Sequence, residues 1–120
     1  LMVSSATGSG KTAAFVLPTL HRLLQSNARS TAGRGPRALF LSPTRELSLQ
    51  ITRACETYSK TVRGLRFASV VGGVPYGAQI RAVRGALDVL VATPGRLLDL
   101  LQGGQLHLAS VEVLVLDEAD

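Results

Sequence analysis

The chain has 120 residues, 46% of them hydrophobic and 18% charged, with a formal net charge of +5, a single cysteine and no tryptophan. That length holds one domain at most, the composition excludes disorder, and one cysteine excludes an internal disulfide framework or a four-cysteine zinc site. No apolar run approaches the ~18 residues of a transmembrane helix and no basic-then-apolar leader is legible, so neither a membrane span nor a secretory signal is expected.

The predicted elements alternate along the chain. Leu1–Ser4 is short and apolar, and a glycine-bearing loop follows it. Lys11–Gln25 has helical character, with Phe15, Leu20, Leu23 and Leu24 recurring near a 3.6-residue period and Pro18 expected to kink it. Residues 26–37 are polar and basic. A solvated loop is the favoured reading there, with Arg29, Arg34 and Arg37 touching nucleic acid as the alternative. Ala38–Leu41 reads as a strand. Ser42-Pro43-Thr44 then opens a helix on which Leu47, Ile51, Cys55 and Tyr58 share one face, which assigns Cys55 to the core.

Arg66–Val71 reads as a strand broken by Gly72-Gly73, and Ala78–Arg84 as a short helix. Val89–Ala92 is a strand, Gly95–Leu101 a helix and Val111–Leu116 a strand. The strands are continuously apolar, as parallel strands covered on both faces are. The repetition predicts an α/β fold: a doubly wound, mainly parallel sheet with helices on both faces. His21 and His107 lack the spacing of metal ligands and read as structural. Residues 1–45 carry six bases and no acid, whereas residues 88–120 carry six of the eight acids and one base, Arg96. That asymmetry suits an anion partner near the start and a carboxylate site near the end.

Two segments carry chemistry. Ser5-Ala6-Thr7-Gly8-Ser9-Gly10-Lys11-Thr12 lies between a strand and a helix, the context of a phosphate loop. Gly8 and Gly10 let the backbone N–H groups of Ala6–Thr12 curl toward phosphate oxygens, and the helix start adds its positive dipole end. Lys11 would reach the β- and γ-phosphates, and the Thr12 hydroxyl would ligate Mg²⁺. The strict pattern has glycine at position 5, where this sequence has Ser5. A plain helix-capping turn explains the glycines but not Gly-Lys-Thr at the helix start. The second segment, Val113–Leu116 followed by Asp117-Glu118, delivers acids at the carboxyl end of a strand, where α/β sheets bind ligands. Asp117 would hold Mg²⁺ through water, and Glu118 would polarise the attacking water.

Asp117-Glu118-Ala119-Asp120 spells DEAD, and with the phosphate loop the chain resembles the amino-terminal RecA-like domain of the DEAD-box ATP-dependent RNA helicases. Further motifs follow in the family's order: Pro43-Thr44-Arg45-Glu46-Leu47 resembles motif Ia, Gly72-Gly73 the GG element and Thr93-Pro94-Gly95-Arg96 motif Ib. Thr12-Ala13-Ala14-Phe15 and Leu17-Pro18 also share the family's wording. The resemblance covers essentially the whole chain. It implies ATP and Mg²⁺ as cofactors and RNA as partner. It assigns the RNA contacts to Pro43, Thr44, Arg45, Glu46, Gly72, Gly73, Thr93, Pro94, Gly95 and Arg96, which read backbone rather than base.

An intracellular protein is expected, cytoplasmic with the nucleus or an organelle as alternatives, and the resemblance implies a partial helicase ATP-binding domain over residues 1–120. The family's adenine-recognition motif, its Ser-Ala-Thr motif and its second RecA-like domain lie outside this span. A fragment lacking them is expected to be inactive as a helicase. In the family a further strand inserts between the phosphate-loop strand and the acidic strand, so unpaired backbone and low stability are expected here. A DNA-directed helicase or translocase, and a non-catalytic RNA-binding module, are the alternatives. Leu101-Gln102-Gly103-Gly104-Gln105 is similar to the transporter ATPase signature, but only 11 residues lie between Gln105 and Asp117, and it reads as a glycine turn after a helix.

Overall fold

The computed structural model describes residues 2–5, 18, 20–22, 35–61, 65–85 and 87–117, with backbone alone at 2–5, 59, 61 and 117. Five strands form one sheet: β1 (Met2–Ser5), β2 (Ala38–Leu41), β3 (Phe67–Val70), β4 (Val89–Ala92) and β5 (Val113–Asp117), in the order β1-β5-β2-β4-β3. Every neighbouring pair is parallel. Three helices complete the described elements: α1 (Arg45–Thr61), α2 (Tyr76–Arg84) and α3 (Pro94–Gln102). Helical backbone is also present at 18 and 20–22, inside the predicted first helix, most of which lies outside the described residues.

Side chains alternate across the pleat, and both faces are apolar. On one face Ala38, Phe40, Val89, Val91, Val113 and Val115 pack with Leu20 and with Ile51 and Cys55 of α1. On the other, Leu39, Leu90, Ala92, Ala68 and Val70 pack with Val83 of α2 and with Leu97 and Leu100 of α3. The predicted helices-on-both-faces architecture is therefore the observed one. Phe40, at the sheet's centre, is completely enclosed.

The starts of four strands are tied by one polar cluster. In sheet order, the residues just ahead of β5, β2, β4 and β3 are Glu112, Arg37, Asp88 and Arg66. The Asp88 carbonyl accepts from the N–H groups of Arg37 (2.8 Å) and Ala38 (2.9 Å), and its own N–H donates to the Arg66 carbonyl (2.9 Å). Asp88 Oδ2 accepts from the Arg66 N–H at 3.0 Å. The Arg37 guanidinium lies 3.7 Å from Asp88 Oδ1 and donates through Nε to Glu112 Oε2 at 2.9 Å. The N–H of Glu112 closes the set on the Arg37 carbonyl at 2.7 Å. Arg37 is 2% exposed, which corrects the expectation of a solvated loop at this position. Its guanidinium is neither hydrated nor offered to nucleic acid. Arg29 and Arg34 lie outside the described residues.

A second correction concerns β1. It does not stand apart from β5: Met2, Val3, Ser4 and Ser5 pair with Leu114, Val115, Leu116 and Asp117. The ladder gives the facing N–H and C=O groups partners. The unpaired backbone expected between these strands is absent among the described residues, and with it the stated reason for low stability.

Two predictions follow from this packing. Replacing Arg37 by alanine strands the buried Asp88 carboxylate, so urea denaturation should show a loss of about 3–5 kcal/mol. An unchanged midpoint refutes the assignment. The Cys55 thiol is pushed up from 9.0 to about 12 by burial, with the Glu56 charge adding to it. Between those values the native chain keeps a proton that the unfolded chain releases. Stability should thus be intact below pH 9 and fall above it, by up to about 1.4 kcal/mol per pH unit. Urea midpoints of the unmodified protein and Cys55→Ala, compared between pH 8 and about 10, isolate that share.

Candidate functional site

All five strands are parallel, so all their carboxyl ends lie on one edge of the sheet, where ligands of α/β folds bind. The sheet order divides that edge in two. On one side are the ends of β1 and β5; on the other are those of β2, β4 and β3.

On the first side, Ser5 and Asp117 are Cα partners. The acidic motif therefore begins one strand spacing, ~4.8 Å, from where the phosphate loop begins. Ser5 is the last residue of a strand. Extended backbone suits any residue, so the departure from glycine at this position is compatible with the local structure. The predicted phosphate-loop residues Ala6, Thr7, Gly8, Ser9, Gly10, Lys11 and Thr12, together with Glu118, lie outside the described residues, and Asp117 is described in backbone only.

On the second side three loops emerge level with one another. The Ser42 N–H donates to the Ala92 carbonyl at 3.0 Å, and the Thr93 N–H to the Val70 carbonyl at 3.1 Å. These bonds continue the ladder one step past the strand ends. Thr44 then caps α1: its Oγ1 accepts from the Leu47 N–H at 3.2 Å and its carbonyl from the Ser48 N–H at 3.1 Å. Glu46, in the first turn, complements the helix dipole. Pro43, Thr44, Arg45 and Glu46 are all exposed.

After β3 the chain turns through Gly72 and Gly73, both exposed. Gly73 has φ +85°, and Arg45 Nη1 lies 3.2 Å from where a Cβ at Gly73 would sit. The first and second loops are thus in contact. After β4, Thr93 is extended, Pro94 takes the first helical position, and the Leu97 N–H makes the first helical bond, to the Thr93 carbonyl at 3.0 Å. No side chain caps this helix start. The N–H groups of Gly95 and Arg96 therefore have no intrahelical acceptor. Pro94 and Gly95 are exposed and Thr93 is half-buried.

Two residues absent from the sequence expectations, Gln79 and Tyr76, complete this side around the expected Arg96. Arg96 Nη1 donates to the Val74 carbonyl at 3.0 Å and to Gln79 Oε1 at 2.9 Å. Gln79 Nε2 donates to the Val71 carbonyl at 2.9 Å. The guanidinium lies over the Tyr76 ring, 5.4 Å from its centre, and Tyr76 Oη donates to the Asp99 carbonyl at 3.2 Å. Gln79 is 3% exposed. The signal was an amide residue four positions before Val83 on the buried face of α2. It was missed because an uncharged amide gives no local sign of its partners, the Val71 carbonyl and the Arg96 guanidinium.

The Leu101–Gln105 stretch is the expected helix-ending turn. Gly104 has φ +71°, its N–H bonds the Leu101 carbonyl at 3.2 Å, and the Gln105 N–H reaches back to Leu100 at 3.0 Å. This paired bonding with a left-handed residue is the Schellman arrangement. Among the described residues, no three His, Cys, Asp or Glu side chains gather as a metal cluster, and no helix is long and apolar enough to cross a membrane.

Comparison with known proteins agrees with this geometry. The family model described as DEAD/DEAH box helicase matches residues 1–120. The chain is 46% identical over 114 residues to "DEAD-box ATP-dependent RNA helicase 53" of Oryza sativa subsp. japonica, covering 95% of this chain and 18% of the rice protein. It is 41% identical over 120 residues to "Nucleolar RNA helicase 2" of Rattus norvegicus, covering 100% of this chain and 15% of that protein. Among solved structures it is similar to the yeast DEAD-box splicing factor Prp28, with a TM-score of 0.82 at 40% identity over 98% of this chain and 28% of that one. A hypothetical ATP-dependent RNA helicase from Sulfolobus tokodaii gives a TM-score of 0.75 at 40% identity, over 97% and 31%. The chain spans less than a third of the length of each.

The left-handed backbone at Gly73 and the Arg45 contact make that glycine the demanding one of the pair. A Cβ at Gly72 meets nothing within 4 Å. Gly73→Ala should lower unfolding free energy by about 1–2 kcal/mol, and Gly72→Ala by less than about 0.5 kcal/mol. Urea denaturation of the two variants checks the contrast, and equal losses refute it.

Proposed function

Starting from the chain's membership of the DEAD/DEAH box helicase family, we propose that it is the ATP- and RNA-binding part of an ATP-dependent RNA helicase. That enzyme couples ATP hydrolysis to local duplex unwinding or remodelling of ribonucleoprotein. The observation that carries the reading is the divided carboxyl edge of the sheet. The start of the phosphate loop and the acid of the DEAD motif adjoin in register on one side. Three exposed loops, two of them in contact, line the other.

On the nucleotide side the N–H groups of Ala6–Thr12 cradle phosphate, and Lys11 steadies the β- and γ-phosphates. The donor set for a divalent cation is the Thr12 hydroxyl and the Asp117 carboxylate. These are hard oxygens of the kind Mg²⁺ takes, and one or two carboxylates beside phosphate suffice for it. The register of β1 and β5 is consistent with that set. Bound there, Mg²⁺ neutralises charge on the phosphates. Glu118, next to Asp117, orients and polarises the attacking water.

On the RNA side, Pro43–Glu46, Gly72-Gly73 and Thr93–Arg96 meet the sugar-phosphate backbone. The uncapped N–H groups at the start of α3 and the Arg45 side chain suit phosphate oxygens. Contacts of this kind carry little sequence preference. A second RecA-like domain in cis completes the cleft and brings arginines to the γ-phosphate, and the protein works inside the cell, in the cytoplasm or alternatively the nucleus or an organelle. This span alone binds ATP·Mg²⁺ weakly at most and does not unwind RNA.

The test is phosphate release by the full-length protein with and without RNA. RNA should stimulate release, and Glu118→Gln should abolish the stimulated rate. Absence of RNA stimulation refutes the helicase reading, and unchanged turnover in the variant refutes the role of Glu118.

A further inference from the structure

We propose that Gln79 and the Arg96 side chain are positioning residues. They clasp the glycine loop to the start of α3, so that RNA meets one preformed surface, and the Arg96 guanidinium is not itself a phosphate ligand. The proposal rests on reading these loops as RNA contacts, and it changes what Arg96 does among them.

The geometry separates the Arg96 guanidinium from the exposed residues around it. One nitrogen, Nη1, already serves two acceptors, the Val74 carbonyl and Gln79 Oε1. Nε lies 3.9 Å from Asp99 Oδ2, and the Tyr76 ring covers the plane. The side chain is 15% exposed. Swinging it out to a phosphate would strip the Val74 carbonyl of this donor and leave the enclosed Gln79 amide half-satisfied. Such orphaned groups carry the full desolvation penalty.

Gln79 carries no charge and lies beneath the loop, so its route to RNA runs through what it holds. Its amide is used at both ends: Nε2 on Val71 and Oε1 on Arg96. Val71 and Val74 bracket Gly72 and Gly73. The two glycines therefore hang between two pinned carbonyls, with Arg45 against Gly73 on the third side. Because Arg96 belongs to α3, the same clasp fixes the Thr93-Pro94-Gly95 turn relative to the glycines. Surfaces held in their bound shape bind more tightly because less ordering is left to do.

The two roles predict different salt dependence. A direct phosphate ligand on single-stranded RNA contributes ~0.7 to the slope of log K against log salt, and its removal lowers the slope by that amount. A positioning residue weakens binding with little change in slope. The experiment measures oligo-uridylate affinity across a salt series for the full-length protein, Arg96→Ala, Gln79→Met and the double variant. In parallel, amide hydrogen exchange at Gly72 and Gly73 is followed without RNA.

We expect each single variant to bind roughly 3- to 10-fold more weakly, with slopes within ~0.3 of the unmodified protein. The double variant should be no worse than the weaker single. Exchange at Gly72 and Gly73 should be faster in all three. If Gln79→Met fails to fold, Gln79→Glu replaces it, keeping the acceptor for Arg96 while losing the donor to Val71. Its exchange at the two glycines should also be faster. A slope drop of ~0.7 in Arg96→Ala, additive losses in the double variant, or unchanged exchange overturns the proposal while leaving the RNA reading intact. Absence of RNA binding by the unmodified protein overturns the RNA reading, and the proposal with it.

Discussion

The register of the sheet depends on the buried guanidinium of Arg37. A parallel sheet has no hairpin turns to set its alignment, because each strand returns to the same edge through a long crossover. Here the alignment is set at the strands' starts, where Glu112, Arg37, Asp88 and Arg66 stand side by side in sheet order with alternating charge. Main-chain bonds join each to the next, and the carboxylates of Asp88 and Glu112 converge on Arg37. A shift of β2, β4 or β5 by one residue would set an uncharged residue in place of Arg37 or of one of its carboxylate partners and weaken the pairing of the enclosed Arg37 charge. It would also turn that strand's apolar side chains to the other face.

Alignment at the start becomes alignment at the finish. β2, β4 and β3 are four residues each, and their pairing runs Ala38–Val89–Phe67 to Leu41–Ala92–Val70. Their three loops therefore leave the sheet at the same level, and a slip of one residue would displace a loop by ~3.3 Å. That distance decides whether two loops can share a contact as close as Arg45 with Gly73 or the Arg96 bond to Val74. The same rule carries Ser5 and Asp117 to a common level on the other side. The charged cluster at one edge and the three level loops at the other are thus two ends of one construction.

How much of this was legible in the sequence follows from what kind of signal each part leaves. Ala38–Leu41 and Val89–Ala92 were read to the residue, because a short apolar run between polar or glycine-bearing segments has sharp edges. The helix at Tyr76–Arg84 was entered two residues late, because Pro75 and Tyr76 carry no capping signal and no side chain caps the helix. The ordered motifs read the family correctly. Arg37 was misread because its loop is basic and polar overall, while its partners Asp88 and Glu112 lie 51 and 75 residues away and no local pattern announces them. Gln79 escaped notice for a related reason: an uncharged side chain whose worth lies in two carbonyls and one guanidinium looks like any surface amide. The pairing of β1 with β5 was misread in the opposite way, by letting the family's strand order stand in for this chain's own ladder.

These placements also change what the net charge means. Arg37 is consumed within the fold, and the Arg96 side chain is bonded to the loop it underlies, so two of the thirteen basic residues do not offer free positive charge at the ligand edge. The second half of that edge presents instead Arg45, two glycines between pinned carbonyls, and helix starts whose N–H groups lack intrahelical acceptors. Such a surface suits phosphate through directed main-chain dipoles more than through diffuse charge. Main-chain donors are fixed in space and indifferent to base identity, so they recognise the spacing of a phosphate backbone. If the proposed RNA contacts hold, recognition by spacing makes loop geometry the quantity to be held constant, which would give the buried glutamine and the sequestered arginine beneath exposed glycines their physical reason.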